Sequence, residues 1–573
     1  MRKKSILLTL VLCLLASVLF AAPEYIVEDV TGTPGGTFYI GSLGGPKTFN
    51  PCEAQENSSN DILDRMFVGL LDFTKDAAIR GGDLAKSWEV TPEGNGWIFY
   101  IREGLQWSDG EPLTVEDVYW SFNNVWLVPN LITGNTIDVL KDSDGNVPKI
   151  ELVGDNGFKI YYPQPFAPGL RTIGSVKILP KHKLAESAAD GTISQRWTVA
   201  DVDDLVGNGP FLINEYLPEQ RVVMVRNPYY HRFDKAGNRL PYFDEFTWII
   251  CGDQTTMRLK FETGETDFLA ISAPDYPSLK EMEAEKNWVV NAYGPNTGTL
   301  FFCMNMTSTN PVQNSWYKNV HFRRAVSHAM DRDTMIDVIY GGLAMPHWSP
   351  ISPASSFYDP EIEENYTYEH SYDFAKEELE KGGFTWDAEG KLHDQYGNLV
   401  EFKLTTNAGN QTREQACNLL KDSLEKVGMT VHFTPIDFNT LVQKLMATGD
   451  WETMIMGLTG GADPHSGSNI ERIDGGLHFW NYSPSLKEFV NKDEYTIPYF
   501  EWKIDQIFRA QSKEMDPEAR WNLFSEYQKL SAENLPLIYT VQTLRLYGYK
   551  AELKNIEIGG FASWGWNEWG ISK

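Results

Sequence analysis

The stretch from Gly81 to Val118, GGDLAKSWEVTPEGNGWIFYIREGLQWSDGEPLTVEDV, constrains the fold more than any other part of the chain. Trp97-Ile98-Phe99-Tyr100-Ile101 is aromatic and β-branched, which fits a buried strand. Asn95-Gly96 ahead of it and Ser108-Asp109-Gly110 behind it are turn signals, and Arg102-Glu103-Gly104 ends the strand. Thr114 is placed to cap a helix whose first turn carries Glu116 and Asp117, where negative charge suits the helix dipole. The local reading is a hairpin followed by a helix start within an α/β domain.

A chain of 573 residues is too long for one core, so two or more domains are expected. A net charge of −28 leaves no basic footprint for nucleic acid. Arg2-Lys3-Lys4, the apolar run Ser5–Phe20 and the small Ala21 predict a signal peptide over residues 1–21. Cys13 follows the bulky Leu12 inside that run, so a lipid anchor is not expected. No later run is apolar enough to span a bilayer, and the mature chain is read as exported and periplasmic. Cys52, Cys251, Cys303 and Cys417 are far apart, with no C-x-x-C, which predicts free thiols and no metal. Asp142–Asn146 imitates a calcium loop, but Val153 stands where the twelfth-position acid belongs, so a turn is predicted. Gly207-x-Gly209 runs into Pro210 and a strand, so it is no nucleotide loop, and no cofactor is expected.

The order of residues carries more than its local reading. Leu84-Ala85, Ser87-Trp88-Glu89, the strand to Arg102, then Trp107, Asp109–Thr114 and Glu116-Asp117-Val118 closely resemble the family 5 bacterial extracellular solute-binding proteins. This is the oligopeptide-binding type that feeds ABC importers. Thr48-Phe49-Asn50-Pro51, Met66–Leu71, Val206–Phe211, Arg226–Tyr230, Phe261–Asp267 and the helix Val320–Tyr340 with Asp331-Arg332 extend the likeness along the chain. The resemblance implies an α/β fold: two lobes of the large oligopeptide-binding type, joined by two crossings at a hinge. Residues 22–306 would form lobe I, with an inserted subdomain near 55–200; residues 307–542 would form lobe II, and 543–573 would return to lobe I. Strands alternating with helices after 307 predict a largely parallel second sheet. Cys417 would lie in the opposite lobe from the other three cysteines. The implied partners are a ligand held by hinge closure and the permease subunits of an importer, with the receptor a monomer.

A site is expected at the facing loops near the crossings. Gly457-Leu458-Thr459-Gly460-Gly461-Ala462-Asp463-Pro464-His465 follows a strand, and its glycines let backbone approach a ligand. The peptide-binding branch often carries an acid just ahead of this Asp-Pro, pairing with the peptide's ammonium; here Thr459–Ala462 supply none. Trp564-Gly565-Trp566-Asn567-Glu568-Trp569 and Phe479-Trp480-Asn481-Tyr482 are aromatic clusters of the kind that stack on sugar rings. The combination resembles the oligosaccharide-binding branch and implies a neutral β-linked oligosaccharide, with cello-oligosaccharides such as cellobiose leading. Trp480, Trp564 and Trp566 would be platforms, and Asn305, Asn481, Asp463 and His465 the polar rim. Gly457, Thr459, Gly460 and Gly461 would offer backbone, with Tyr539 at the return crossing. An oligopeptide receptor is the alternative. A secreted glycosidase is the reading from another class, but there is no H-E-x-x-H or G-x-S-x-G, and carboxylate separations are invisible in sequence.

Overall fold

The computed structural model describes residues 23–54, 56–132, 136–493, 495–559, 563–564 and 568–571. The expected signal peptide and Trp566 lie outside the described residues. Past a short N-terminal strand, Ile26–Glu28, which pairs with Arg232–Asp234, the chain enters β1 (Thr37–Ser42) and runs through α1 (Asn57–Met66) into an inserted antiparallel sheet. That sheet is β2 (Ala85–Val90), β3 (Gly96–Ile101), β4 (Lys149–Val153) and β5 (Gly157–Tyr161), in the order β2-β3-β5-β4. Next come β6 (Phe211–Leu217), β7 (Arg221–Arg226), β8 (Glu245–Ile250), β9 (Phe268–Ala270) and β10 (Trp288–Pro295), which rejoin β1.

The second part opens with β11 (Thr299–Met304), α3 (Val320–Ala329), α4 (Arg332–Tyr340) and β12 (Ala344–Pro346). It continues with β13 (Glu401–Thr405), α5 (Gln411–Lys426), β14 (Thr430–Phe433) and β15 (Thr453–Leu458). After α6 (Tyr499–Gln511) and α7 (Pro517–Asn534), the chain passes from β16 (Leu537–Tyr539) into β17 (Val541–Lys550). The first sheet is ordered β10-β17-β9-β1-β8-β7-β6 with β12 on β17, and the second β14-β13-β15-β11-β16.

The signature stretch folds as its residues require. Trp97, Phe99 and Ile101 of β3 point into the core, while Ile98 and Tyr100 stay half-buried. Thr114 caps α2 (Val115–Trp120): its Oγ1 accepts from Glu116 N at 3.3 Å, and Asp117 Oδ2 accepts from Thr114 N at 2.9 Å. Asp142–Asn146 is a turn: Asp142 Oδ1 accepts from the amides of Asp144 and Asn146, and Gly145 takes the positive φ of 85°. The same device recurs at Asp234–Asn238 and Asp394–Asn398. Cys52, Cys303 and Cys417 are buried free thiols, and Cys251 is a half-buried one.

Four expectations change. Val320–Tyr340 is two helices, because Met330 leaves the helix (ψ 113°) and Asp331 caps α4 by accepting from Thr334 N at 2.9 Å. β11 belongs to the second sheet, not to lobe I: it pairs with β15 and β16, and Phe301 and Phe302 sit in the second core. The crossings are therefore Asn296–Gly298 and Thr540, and Cys303 shares the second core with Cys417. The second sheet is mixed rather than largely parallel. β13 runs parallel to β14 and β15, but β11, as the strand that crosses, is antiparallel to β15 and β16.

The two crossings lie side by side and are stitched together. Buried Gln542 donates from Nε2 to Asn296 O at 2.7 Å and to Gly298 O at 3.0 Å. Thr540 N reaches Leu300 O at 2.9 Å, and Asn296 N reaches Thr543 O at 2.8 Å. Arg332, 4% exposed, donates from Nε and Nη2 to Tyr539 O at 3.1 and 2.7 Å and holds the return strand. Replacing Gln542 by Leu keeps the volume and strips a donor from two buried carbonyls. The chemical-denaturation midpoint should fall by the equivalent of about 1–3 kcal/mol; an unchanged midpoint would mean the crossings do not need the stitch.

Candidate functional site

A cavity opens where β15 ends, beside both crossings. Thr297 lines it from the outgoing crossing, Thr299 from the start of β11 and Tyr539 from the return strand. Thr459, Gly460 and Gly461 form one wall. Gly460 is glycine for a reason internal to the fold, since a Cβ there would lie 2.1 Å from Thr297 O. Gly457 lies within β15, where a Cβ would meet Thr299 O at 2.9 Å.

Several predicted rim residues are spent elsewhere. Asn305 is fully buried, donates to Gly449 O and Trp451 O at 3.0 and 2.9 Å, and accepts from Thr307 N and Oγ1. It locks a loop and has no polar group left for a ligand. Trp480, 1% exposed, donates from Nε1 to Glu501 Oε1 at 3.0 Å and packs on His478 and Phe479. Asn481 is buried and donates to the same carboxylate at 2.6 Å. Both are core residues of the second lobe, and Trp480 offers no open ring face. The backbone of Trp564 pairs with Glu557.

Asp463 is a structural carboxylate. Arg520 grips it with two hydrogen bonds of 2.8 Å, and its Oδ1 caps the turn Pro464–Gly467 by accepting from His465 N at 2.9 Å. Burial pushes its carboxyl up, but the Arg520 hydrogen bonds and charge win and hold it below the usual range.

His465 faces Phe166 of the inserted subdomain, with ring centroids 5.4 Å apart. Around it the inserted layer touches the second lobe directly. Ala167 N donates to Ser512 O at 2.7 Å, Arg472 Nη1 to Ser143 O at 2.8 Å, and Lys513 pairs with Asp144 at 2.9 Å. The turn Asp142–Asn146 is thus the tip with which one lobe meets the other.

Sequence reasoning missed Glu471, Phe508, Tyr527 and Ile351, which also line the cavity. Glu471 precedes Arg472 in what reads as a surface charge pair, and nothing local marks it as buried. Among the described residues no cluster of His, Cys, Asp and Glu is arranged to hold a metal, and no helix is long and apolar enough to cross a membrane.

The model of "Bacterial extracellular solute-binding proteins, family 5 Middle" matches residues 81–473. A probable ABC transporter-binding protein of Deinococcus radiodurans is 28% identical, over 92% of this chain and 91% of its own. The oligopeptide-binding protein AppA of Bacillus subtilis is 24% identical over 87% of this chain and 88% of its own. Its structure with a nonapeptide superposes with a TM-score of 0.70 over 95% of this chain and all of AppA. MelB of Agrobacterium fabrum, solved with stachyose, gives 0.72 at 20% identity over 95% of this chain and 86% of its own.

The His465 contact is sensitive to pH. Gln511 Nε2 donates to its Nδ1 at 2.7 Å, which requires a lone pair there and hence a neutral ring. Burial drives its pKa down to about 4. A histidine depressed in the folded state stabilises above its ordinary value near 6.5 and loses that contribution as pH falls toward 4. His465→Ala should therefore flatten the wild type's loss of stability between pH 6.5 and 4, by up to roughly 3 kcal/mol. Parallel stability curves for the two proteins across that window would show the ring titrates normally.

Proposed function

Because the chain belongs to the family 5 bacterial extracellular solute-binding proteins, whose members are receptors of ABC importers, we propose that the ligand it delivers is an oligopeptide. One observation carries this reading. Among the described residues, the peptide groups of Thr459, Gly460 and Gly461 make no hydrogen bond with the rest of the chain, although they line the cavity. Such unspent donors and acceptors suit an extended ligand main chain, which repeats the same groups at every residue. AppA, with its nonapeptide, supports the choice from the side of the relatives.

The neutral oligosaccharide has less behind it. Trp480 is sealed in the core by Glu501, and Asn305, Asn481 and Asp463 are committed to internal bonds. The glycine wall serves either ligand, and MelB holds a sugar on a similar fold. Lobe closure on the ligand, and handover to permease subunits, follow from the receptor role.

Calorimetry separates the ligands. Peptides of three to nine residues should give saturable heat, while cellobiose, longer cello-oligosaccharides and stachyose give none. Saturable heat from a neutral oligosaccharide, with every peptide silent, would reverse the assignment.

A further inference from the structure

Glu471 ends the short helix Ser468–Glu471 and lines the cavity while only 6% exposed. Some carboxylates of the interior have cationic partners, as Asp83 has Arg232 and Asp463 has Arg520, and others are turn residues satisfied by backbone amides, as Asp142 and Asp394 are. Among the described residues Glu471 makes no ion pair. His478, whose charge acts on Glu471, donates from Nδ1 to Ile470 O and turns Nε2 toward Glu501, 3.9 Å away. Phe301, Ile351, Phe508 and Leu537 supply apolar wall around the cavity. Its volume is about 110 Å³, room for roughly four waters at ~30 Å³ each. That is the bulk of one side chain.

An apolar sleeve whose wall carries a carboxyl bonded to the Tyr527 hydroxyl but to no cation is complementary to an alkyl stem ending in a cation. We propose that this cavity is a side-chain pocket that selects a primary ammonium on an alkyl stem, as in a lysine residue of the ligand, with Glu471 as its counter-ion. The inference rests on the peptide reading. A carboxylate buried without a cation is costly, and the bound ammonium removes that cost while its stem displaces water from apolar wall.

The groups facing Glu471 set its response to pH. They are Tyr527 from α7, Tyr539 from β16, Glu501 from α6, and His478 from the loop before Trp480. Burial, aided by the charge of Glu501 and opposed by Tyr527 and His478, pushes the Glu471 carboxyl up to about 7. Binding a cation requires the ionised form, so affinity for a cationic ligand rises as pH rises to about 7 and levels off above it.

The test uses N-acetylated tripeptides carrying lysine, or its neutral isostere norleucine, at each position in turn, titrated calorimetrically into the wild-type protein and into Glu471→Gln. Thermal melts check that the variant is folded. At pH 8 the best lysine peptide should bind the wild type at least tenfold more tightly than its norleucine partner. The ratio should shrink at pH 5.5, and it should fall to near one in Glu471→Gln. Equal affinities in the wild type, or a lysine preference that survives Glu471→Gln, overturn the pocket and leave the peptide receptor standing. Peptides that bind only with a free amino terminus, an advantage lost in Glu471→Gln, would put that terminus in the pocket and overturn the side-chain assignment. Heat from no peptide at all overturns the peptide reading and the pocket with it.

Discussion

The two lobes depend on a pair of chain crossings lying side by side. Gln542 bonds to the carbonyls of Asn296 and Gly298, so the outgoing and returning strands are held as one strip. The main hydrophobic cores lie to either side of it, one around Phe38, Phe49 and Trp97, the other around Phe301, Phe402 and Met454. Rotation about such a strip need not open either core, which is the physical basis of a hinge. The cavity borrows Thr297 from one crossing and sits against Thr299 and Tyr539, which adjoin the two crossings, so its shape is tied to the same strip.

Buried charge does the remaining positioning. Arg232, 2% exposed, gathers Glu28, Asp72 and Asp83 and joins the N-terminal strand to the base of the inserted layer. Burial opposes its charge, but the surrounding carboxylates overcome that and hold it well above its ordinary value. Arg520 does the same for the turn at Asp463, and Glu501 gathers Trp480 and Asn481 beneath the cavity. Removing one partner from such a set strands a charge, so each acts as a geometric lock more than as a source of stability. Glu471 stands outside this pattern, and that contrast gives the cavity its chemical character.

The outward contact is of another kind. Asp144 and Lys513 meet across the lobes as partly exposed groups, where an ion pair contributes little and water competes, and Arg472 reaches the carbonyl of Ser143 beside them. Contacts of that strength can form and part without disturbing either core. His465, pressed between Phe166 and Gln511, is the piece of this seam most tied to pH.

The sequence alone determined whatever depends on neighbours in the chain. The strand Gly96–Ile101, the Thr114 cap, the Asp142 turn and the glycine loop at Gly460 were legible because a few adjacent residues dictate local backbone. The two-lobed family fold was legible because those units recur in one order along the chain. Only the tertiary structure decided which side chains face the cleft. Trp480 and Glu471 are nine residues apart in similar surroundings, yet one donates into a buried carboxylate and the other lines the cavity. Asn305, read as a rim residue, is consumed by the carbonyls of Gly449 and Trp451, more than a hundred residues away. The crossing itself moved from 306 to 296–298, because strand pairing with β15 and β16, not residue type, assigns β11 to its lobe. Facing and pairing depend on partners distant in the chain, and no local pattern encodes them.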